Sequence, residues 1–294
     1  MHVHPCPICQ SEVASAHIVR ERSLGALEAF LYFECLDCGC LFLAGDHRSS
    51  EAHTPEECLV ESGLSFLRKM EAAFQLWPSY IKAKCLSNSH LAIFRRVRLK
   101  RSTTLLDVGP GAAARTGSLR ELGYDAHGID TANIHDFEHL CRTLAERKWL
   151  KDIPNTFDVI LLRHSLECLP VELLALAREH IRKDGCCIAC IVLLGWAWRT
   201  YGTDWAQLNA PRHRLIHSSK SFSLLAGKSG FRIDRVVFDS TEFQIWASDA
   251  LQRNVPLSKM PVPSRSQRVR MRRIAEALNL QHQGDTAQFY LKPL

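Results

Sequence analysis

No stretch of this chain is long and apolar enough to cross a bilayer. The longest apolar run, Cys186 to Trp198, has 13 residues, against the ~20 that a membrane-spanning helix requires. It reads as a buried strand and the loop after it. The start, His2-Val3-His4-Pro5-Cys6, has no apolar core, so no export leader is expected. Internal repeats and low-complexity tracts are also lacking. What remains is a 294-residue chain, 46% hydrophobic and 23% charged, ordinary for a globular protein. That length accommodates one large domain, or a medium one with a small attachment. The chain has twelve cysteines, but without an export signal they do not predict a disulfide framework, and the cytoplasm is the expected compartment. Cys186, Cys187 and Cys190 sit in an apolar strand pattern and read as small buried hydrophobes. No membrane partner is expected, and the oligomeric state is not legible.

The formal net charge of +6 comes partly from two clusters, Arg95 to Arg101 and Arg265 to Arg273. Both interleave apolar residues at helix-like spacing. They read as the solvated faces of two helices, or as a surface for phosphates.

Cys6-Pro7-Ile8-Cys9 and Cys35-Leu36-Asp37-Cys38 are two C-x-x-C pairs separated by 25 residues. Each pair presents two thiolates on one side of a knuckle, and two knuckles complete a tetrahedral S₄ shell that suits zinc. Cys6, Cys9, Cys35 and Cys38 are therefore the expected metal ligands. Four thiolates leave no open position, so the zinc would be structural. Leu31 to Glu34 reads as a strand entering the second knuckle, and the spacer has room for a hairpin. Cys40 is read as a bystander able to replace a ligand; His2, His4 and His17 are alternatives.

Leu105-Leu106-Asp107-Val108-Gly109-Pro110-Gly111 reads as a buried strand and a glycine-rich turn. A helix and a second strand, ending at Ile129-Asp130, follow. This is a βαβ unit of the nucleotide-binding kind. Gly109 and Gly111 would let the backbone approach a ligand, since no Cβ intrudes. Asp130 would accept hydrogen bonds from ribose hydroxyls. Gly109, Gly111 and Ala114 also satisfy the dinucleotide fingerprint, so NAD and S-adenosylmethionine (SAM) both fit. Asp107 favours SAM, because a carboxylate there could lie near a sulfonium or an ammonium.

Further motifs narrow the choice. Asp107-x-Gly109-x-Gly111, Gly128-Ile129-Asp130, Phe157-Asp158-Val159-Ile160 and Leu166-Glu167-x-Leu169-Pro170 together resemble the class I SAM-dependent methyltransferases. The resemblance covers residues 1–45 loosely and 100–294 better. It implies an α/β fold: a Rossmann-like, seven-stranded sheet preceded by the four-cysteine zinc ribbon and a helical cover. It also implies that Asp107, Gly109, Gly111 and Asp130 bind SAM, and that Glu146 turns toward the adenine. Two departures stand out, Ala113 in place of a frequent third glycine and Cys168 in place of the histidine that often follows the motif glutamate.

The organisation expected is a ribbon at 1–45, a connector and helical cover at 46–98, and a methyltransferase domain at 99–294. Strands are expected at 104–108, 124–129, 157–162, 186–193, 231–238 and 284–291. Helices are expected at 112–122, 171–182 and 219–228, with two more, 241–252 and 264–280, in an insertion. Lys183-Asp184-Gly185 reads as a turn.

Ligands of open α/β sheets bind beyond the carboxyl ends of the strands. Trp196 to Trp205, rich in Trp and Tyr, is therefore expected to face substrate, where aromatic faces suit a ring or a sugar. This segment and Phe238 to Trp246 resemble a ribbon-bearing subgroup of these methyltransferases, which implies a small-molecule or glycan-pathway acceptor. His213 and His164 are the candidate general bases, with Tyr201 and Asp239 behind them. Positioning alone can carry much of an in-line methyl transfer. The competing readings are an RNA methyltransferase gripping phosphates through the ribbon and basic helices, a non-catalytic methyltransferase-like binding module, and a nicotinamide oxidoreductase.

Overall fold

The structure is a computed structural model and describes residues 5–12, 14–22, 28–45, 92–97, 99–109, 112–129 and 156–294. The helices expected within 46–91, and Gly111, Asp130 and Glu146, lie outside the described residues. Among the described residues no helix is long and apolar enough to cross a membrane.

A six-stranded sheet forms the centre. In chain order it uses β4 (Thr104–Val108), β5 (Asp125–Ile129), β6 (Phe157–Arg163), β7 (Ile181–Val192), β9 (Phe231–Phe238) and β10 (Thr286–Pro293). Their order across the sheet is β5-β4-β6-β7-β10-β9. The first four run parallel, and β10 is antiparallel to both its neighbours. The described residues thus carry six of the seven strands the resemblance implies. The missing position would fall within 130–155, outside the described residues.

Alternation builds two cores. Leu106, Val108, Ile160, Leu162, Cys187, Ala189 and Ile191 face one cluster. Leu105, Val159, Leu161, Cys186, Ile188 and Cys190 face the other. Strands buried on both faces read as continuous apolar runs, and the period of two then sorts their residues between the two cores.

The helices are α1 (Ala112–Glu121), α2 (Glu172–His180), α3 (Trp196–Tyr201), α4 (Ser219–Lys228), α5 (Phe243–Gln252) and α6 (Arg265–Leu280). Ser218 and Ser264 start α4 and α6 with reciprocal capping boxes, which satisfy otherwise orphaned first-turn amides. The turn expected at Lys183-Asp184-Gly185 is instead absorbed into β7. Phe157 pairs with Ile181, but Val159 already pairs with Cys186, so the extra residues bulge from the strand.

A second sheet holds the N-terminal segment: β1 (Ala14–Arg20), β2 (Ala29–Cys35), β3 (Leu41–Leu43) and β8 (Leu215–Ile216), in that order. β1 and β2 form the expected hairpin. β8, however, comes from the far end of the chain. It pairs Ile216 with Leu41 and Leu215 with Phe42, and His217 bridges to Leu193 just beyond β7. The ribbon is therefore joined by hydrogen bonds to the carboxyl edge of the central sheet.

The segment expected to face substrate is packed instead. Trp198, Tyr201 and Trp205 are buried, in one cluster with Val19, Phe30, Tyr32, Leu41 and Leu43 of the ribbon. Their polar heads are satisfied internally: Trp198 Nε1 donates to Glu34, Tyr201 Oη to Asp249, and Trp205 Nε1 to Asp285. The aromatics read as a substrate surface are the glue between ribbon and sheet; of them, Trp196 stays partly exposed. Arg22 extends the joint, bonding to Asp204 and to Asn254.

Candidate functional site

The glycine turn closes β4 at the carboxyl ends of the parallel strands. Gly109 has φ +151°, where side chains are strained. A Cβ there would drive into the carbonyl oxygen of Arg163 at the end of β6. The protein's own backbone, not only a ligand, demands glycine here. Gly128 has the same kind of reason, because a Cβ would collide with Thr116 on α1. Gly109→Ala is expected to cost about 2–3 kcal/mol, the scale of overpacking plus backbone strain, read as a lower urea midpoint. An unchanged midpoint would mean that the turn has slack.

Asp107 is 2% exposed, and its carboxylate is gripped by Arg115 from the first turn of α1, with Nε 2.6 Å and Nη2 2.8 Å from its two oxygens. Such a fork is a strong charge-assisted contact. The carboxylate expected near a sulfonium or an ammonium also holds a guanidinium. Arg163 stands nearby; burial first, and then the Arg115 charge, pull its pKa down. Two arginines and a carboxylate therefore set the charge beside the turn. The sequence reading missed both arginines, whose only signal was a cation in the first turn of the helix and another at a strand end.

His164, the residue after Arg163, has φ +47°, a left-handed geometry in which histidine is enriched. Its side chain is 38% exposed, and Nδ1 lies 3.5 Å from Oε1 of Glu167. Glu167 is fully buried. Its Oε1 also accepts the Val192 amide at 2.6 Å, and its backbone carbonyl accepts the amides of Arg214 and Leu215. Burial raises its pKa, but the His164 hydrogen bond, the neighbouring histidines and the Val192 amide outweigh burial and hold it below the usual value. In the sequence Glu167 stands in the Leu166-Glu167-x-Leu169-Pro170 motif, whose pattern alone gives it no role. In the structure it is the hub that joins β6, β7 and β8.

The structure places His213 in the core. It is 7% exposed, with Nδ1 2.8 Å from the Gln207 carbonyl, and its own carbonyl takes the Tyr32 hydroxyl at 2.8 Å. Burial pushes its pKa down to about 4. A base so weak is poorly matched to neutral pH, and the ring is a core element locking the ribbon in place. Tyr201 is buried, and Asp239 accepts from Gln288. Cys168, in the position of the frequent histidine, lies near Tyr32, whose pKa burial chiefly raises.

These burials set a pH dependence. Burial depresses His213 and His217 to about 4, so the unfolded chain binds more protons between about pH 4 and 6.5 and stability falls as pH drops through that window. Asp285 has the opposite sign. Burial raises it to about 6, and its contribution fades as pH rises from about 4 to 6. Two histidines against one aspartate leave a net loss on acidification. Unfolding free energies from denaturant titrations at pH 7 and 4.5 are expected to differ by a few kcal/mol in that direction. A flat profile would show that the histidines are solvated.

At the other centre, Cys6, Cys9, Cys35 and Cys38 bring their four sulfurs within 4.8 Å of one another. Cys6 to Cys38 and Cys9 to Cys35 are each 3.5 Å. A tetrahedron with Zn–S of ~2.3 Å has edges of about 3.8 Å, so the set fits zinc. Cys40 is buried, 3.4 Å from Cys6 and 3.6 Å from Cys38, yet lies outside the set of four. Burial raises the Cys35 thiol, but amide hydrogen bonds, chiefly from Cys38, and the Cys9 thiol lower it further, to about 7.

A methyltransferase-domain profile matches residues 79–236. The chain belongs to the methyltransferase-domain family. Its strand order, with one antiparallel strand set between two that run parallel to the rest, fits the class I sheet that the resemblance implies. No curated protein matches it by sequence. Similar solved structures include the mitomycin 7-O-methyltransferase, at 14% identity over 65% of this chain and 49% of that one, with a TM-score of 0.36. An O-methyltransferase from a trans-AT polyketide synthase of Brevibacillus brevis, with S-adenosylhomocysteine bound, is 12% identical over 68% and 70%, TM-score 0.40. The magnesium protoporphyrin IX methyltransferase of Synechocystis is 14% identical over 55% and 80%, TM-score 0.38. The chain spans about half the length of the mitomycin enzyme.

Proposed function

We propose that this chain transfers the methyl group of SAM to a protic group of a small-molecule acceptor, and that Cys6, Cys9, Cys35 and Cys38 hold a structural zinc. One observation carries the reading. The glycine turn expected to hold the cofactor packs on Arg163, and the next residue, His164, is a half-exposed imidazole backed by a buried carboxylate. Bound SAM supplies an electrophilic methyl on a sulfonium. The chain's residues do the rest. His164 Nε2 would take the proton that the acceptor gives up on methylation. Glu167 fixes the ring through Nδ1 and stabilises the imidazolium.

The acceptor's class rests on the family resemblance. The sugar reading lost its structural support when the aromatic segment proved to be packed. The RNA reading is not favoured either. Arg96, Lys100 and Arg101 of the 95–101 cluster precede the amino end of β4, whereas α6 lies between β9 and β10.

The test is methyl transfer from radiolabelled SAM to phenols, sugars and RNA in parallel. Salt-insensitive labelling of a small acceptor supports the proposal. Labelling of RNA alone, falling steeply with salt as counterions are released, would overturn it.

A further inference from the structure

A second cavity lies at the other end of the central sheet. It has a volume of about 620 Å³ and is bounded by the starts of β4, β6 and β7, the middle of β9 and the second half of β10. β4 runs from this cavity to the Gly109 turn, so the two sites are separated by the length of the sheet. Arg96, Lys100, Arg182, Arg235 and Lys292 line it, from four separate stretches of sequence.

Their charge is only partly answered. Three carboxylates share the cavity, Asp158, Asp184 and Asp234. Asp158 is already engaged by the Thr104 amide and hydroxyl and by Arg182 at 2.6 Å. Asp234 takes Arg232 at 3.4 Å. Lys292 Nζ reaches the carbonyls of Asp184 and Gly185, and Arg96 donates to the Tyr290 hydroxyl. Among the described residues no protein acceptor is recorded for Lys100 Nζ or for the Arg235 guanidinium. Converging like charges repel, and a folded chain whose cavity holds five cations against three carboxylates gains from an anion beside Lys100 and Arg235.

We infer that this cavity binds a small phosphorylated anion, distinct from the cofactor. Its volume falls in the range of small-ligand sites, ~300–1,000 Å³. Guanidinium groups suit phosphate oxygens by bidentate geometry, and a lysine adds a mobile point charge. The concave shape, closed by strand starts, favours a compact ligand over the extended backbone of a nucleic acid.

The test is calorimetric titration of the full chain with pyrophosphate, ADP and sulfate, for the wild type and for Lys100→Glu/Arg235→Glu. Both substituted side chains are exposed, and the thermal midpoint checks that the variant folds. One-to-one, saturable binding of a phosphoryl ligand, weakened about tenfold or more in the variant while SAM affinity is retained, is the expected result. Tighter binding of ADP than of pyrophosphate would identify an organic phosphate as the occupant, and the reverse an inorganic one. Failure to saturate, equal binding of sulfate, or equal affinity in wild type and variant would each overturn the inference. So would RNA binding at this face that pyrophosphate cannot displace.

Discussion

Cys38→Ser is expected to strip the metal from the ribbon and unseat part of the candidate active site with it. The N-terminal segment is too short to bury a sufficient core of its own, and domains of this size usually need a metal or a comparable staple. Structural zinc contributes apparent binding energies of ~10–16 kcal/mol in finger peptides; even a fraction of that is large against the stability of a domain. The ribbon is also tied to the catalytic side. The Ser218 hydroxyl donates to the Cys38 carbonyl at 2.6 Å, Lys220 to Asp37, and Lys228 to Ile8. β3 holds β8, the Leu43 amide reaches the Arg214 carbonyl, and the amides of Arg214 and Leu215 hold the Glu167 carbonyl. A loss of several kcal/mol is expected, with greater hydrogen exchange at 213–217 as well as at 35–43. The wild type is expected to carry about one zinc per chain, released by a chelating dye after denaturation. A variant with the same thermal midpoint and unchanged exchange at 213–217 would contradict this coupling.

His164→Ala is expected to lower kcat by about 10²–10⁴-fold, the usual range for a general base, with little change in SAM affinity. The residue is half-exposed, so its removal leaves no large cavity. Glu167→Gln keeps the shape and removes the charge. Protonation of the neighbouring imidazole then becomes less favourable, so the acid limb of kcat/KM moves to lower pH. A residue that served only packing would not move that limb. Retention of kcat within about threefold in His164→Ala would show that positioning alone carries the transfer.

Much of this was legible because it is local. The C-x-x-C spacing needs only a knuckle to bring two sulfurs together. The β4 turn and the alternation of β6 and β7 follow from short apolar periods, and α4 and β9 occupy the residues expected. What could not be read was made by distant partners. Leu215 and Ile216 carry no sign that they pair with residues 41 and 42. The Trp198 and Trp205 pattern is the same whether an aromatic surface meets a sugar or a ribbon. His213 looked like a loop base because its contact with the ribbon, the Tyr32 hydroxyl on its carbonyl, comes from 181 residues away. The partner of Asp107, Arg115, stands eight residues later on α1, a pairing that the motif spacing does not reveal.

Isothermal titration of the purified chain with SAM, S-adenosylhomocysteine and NAD, beside Asp130→Ala, tests the central claim most directly. The account predicts one-to-one binding of both adenosyl ligands at micromolar affinity, greatly weakened in the variant, and no heat with NAD. Binding of NAD instead, or of none of the three by a folded, metal-loaded chain, would contradict it.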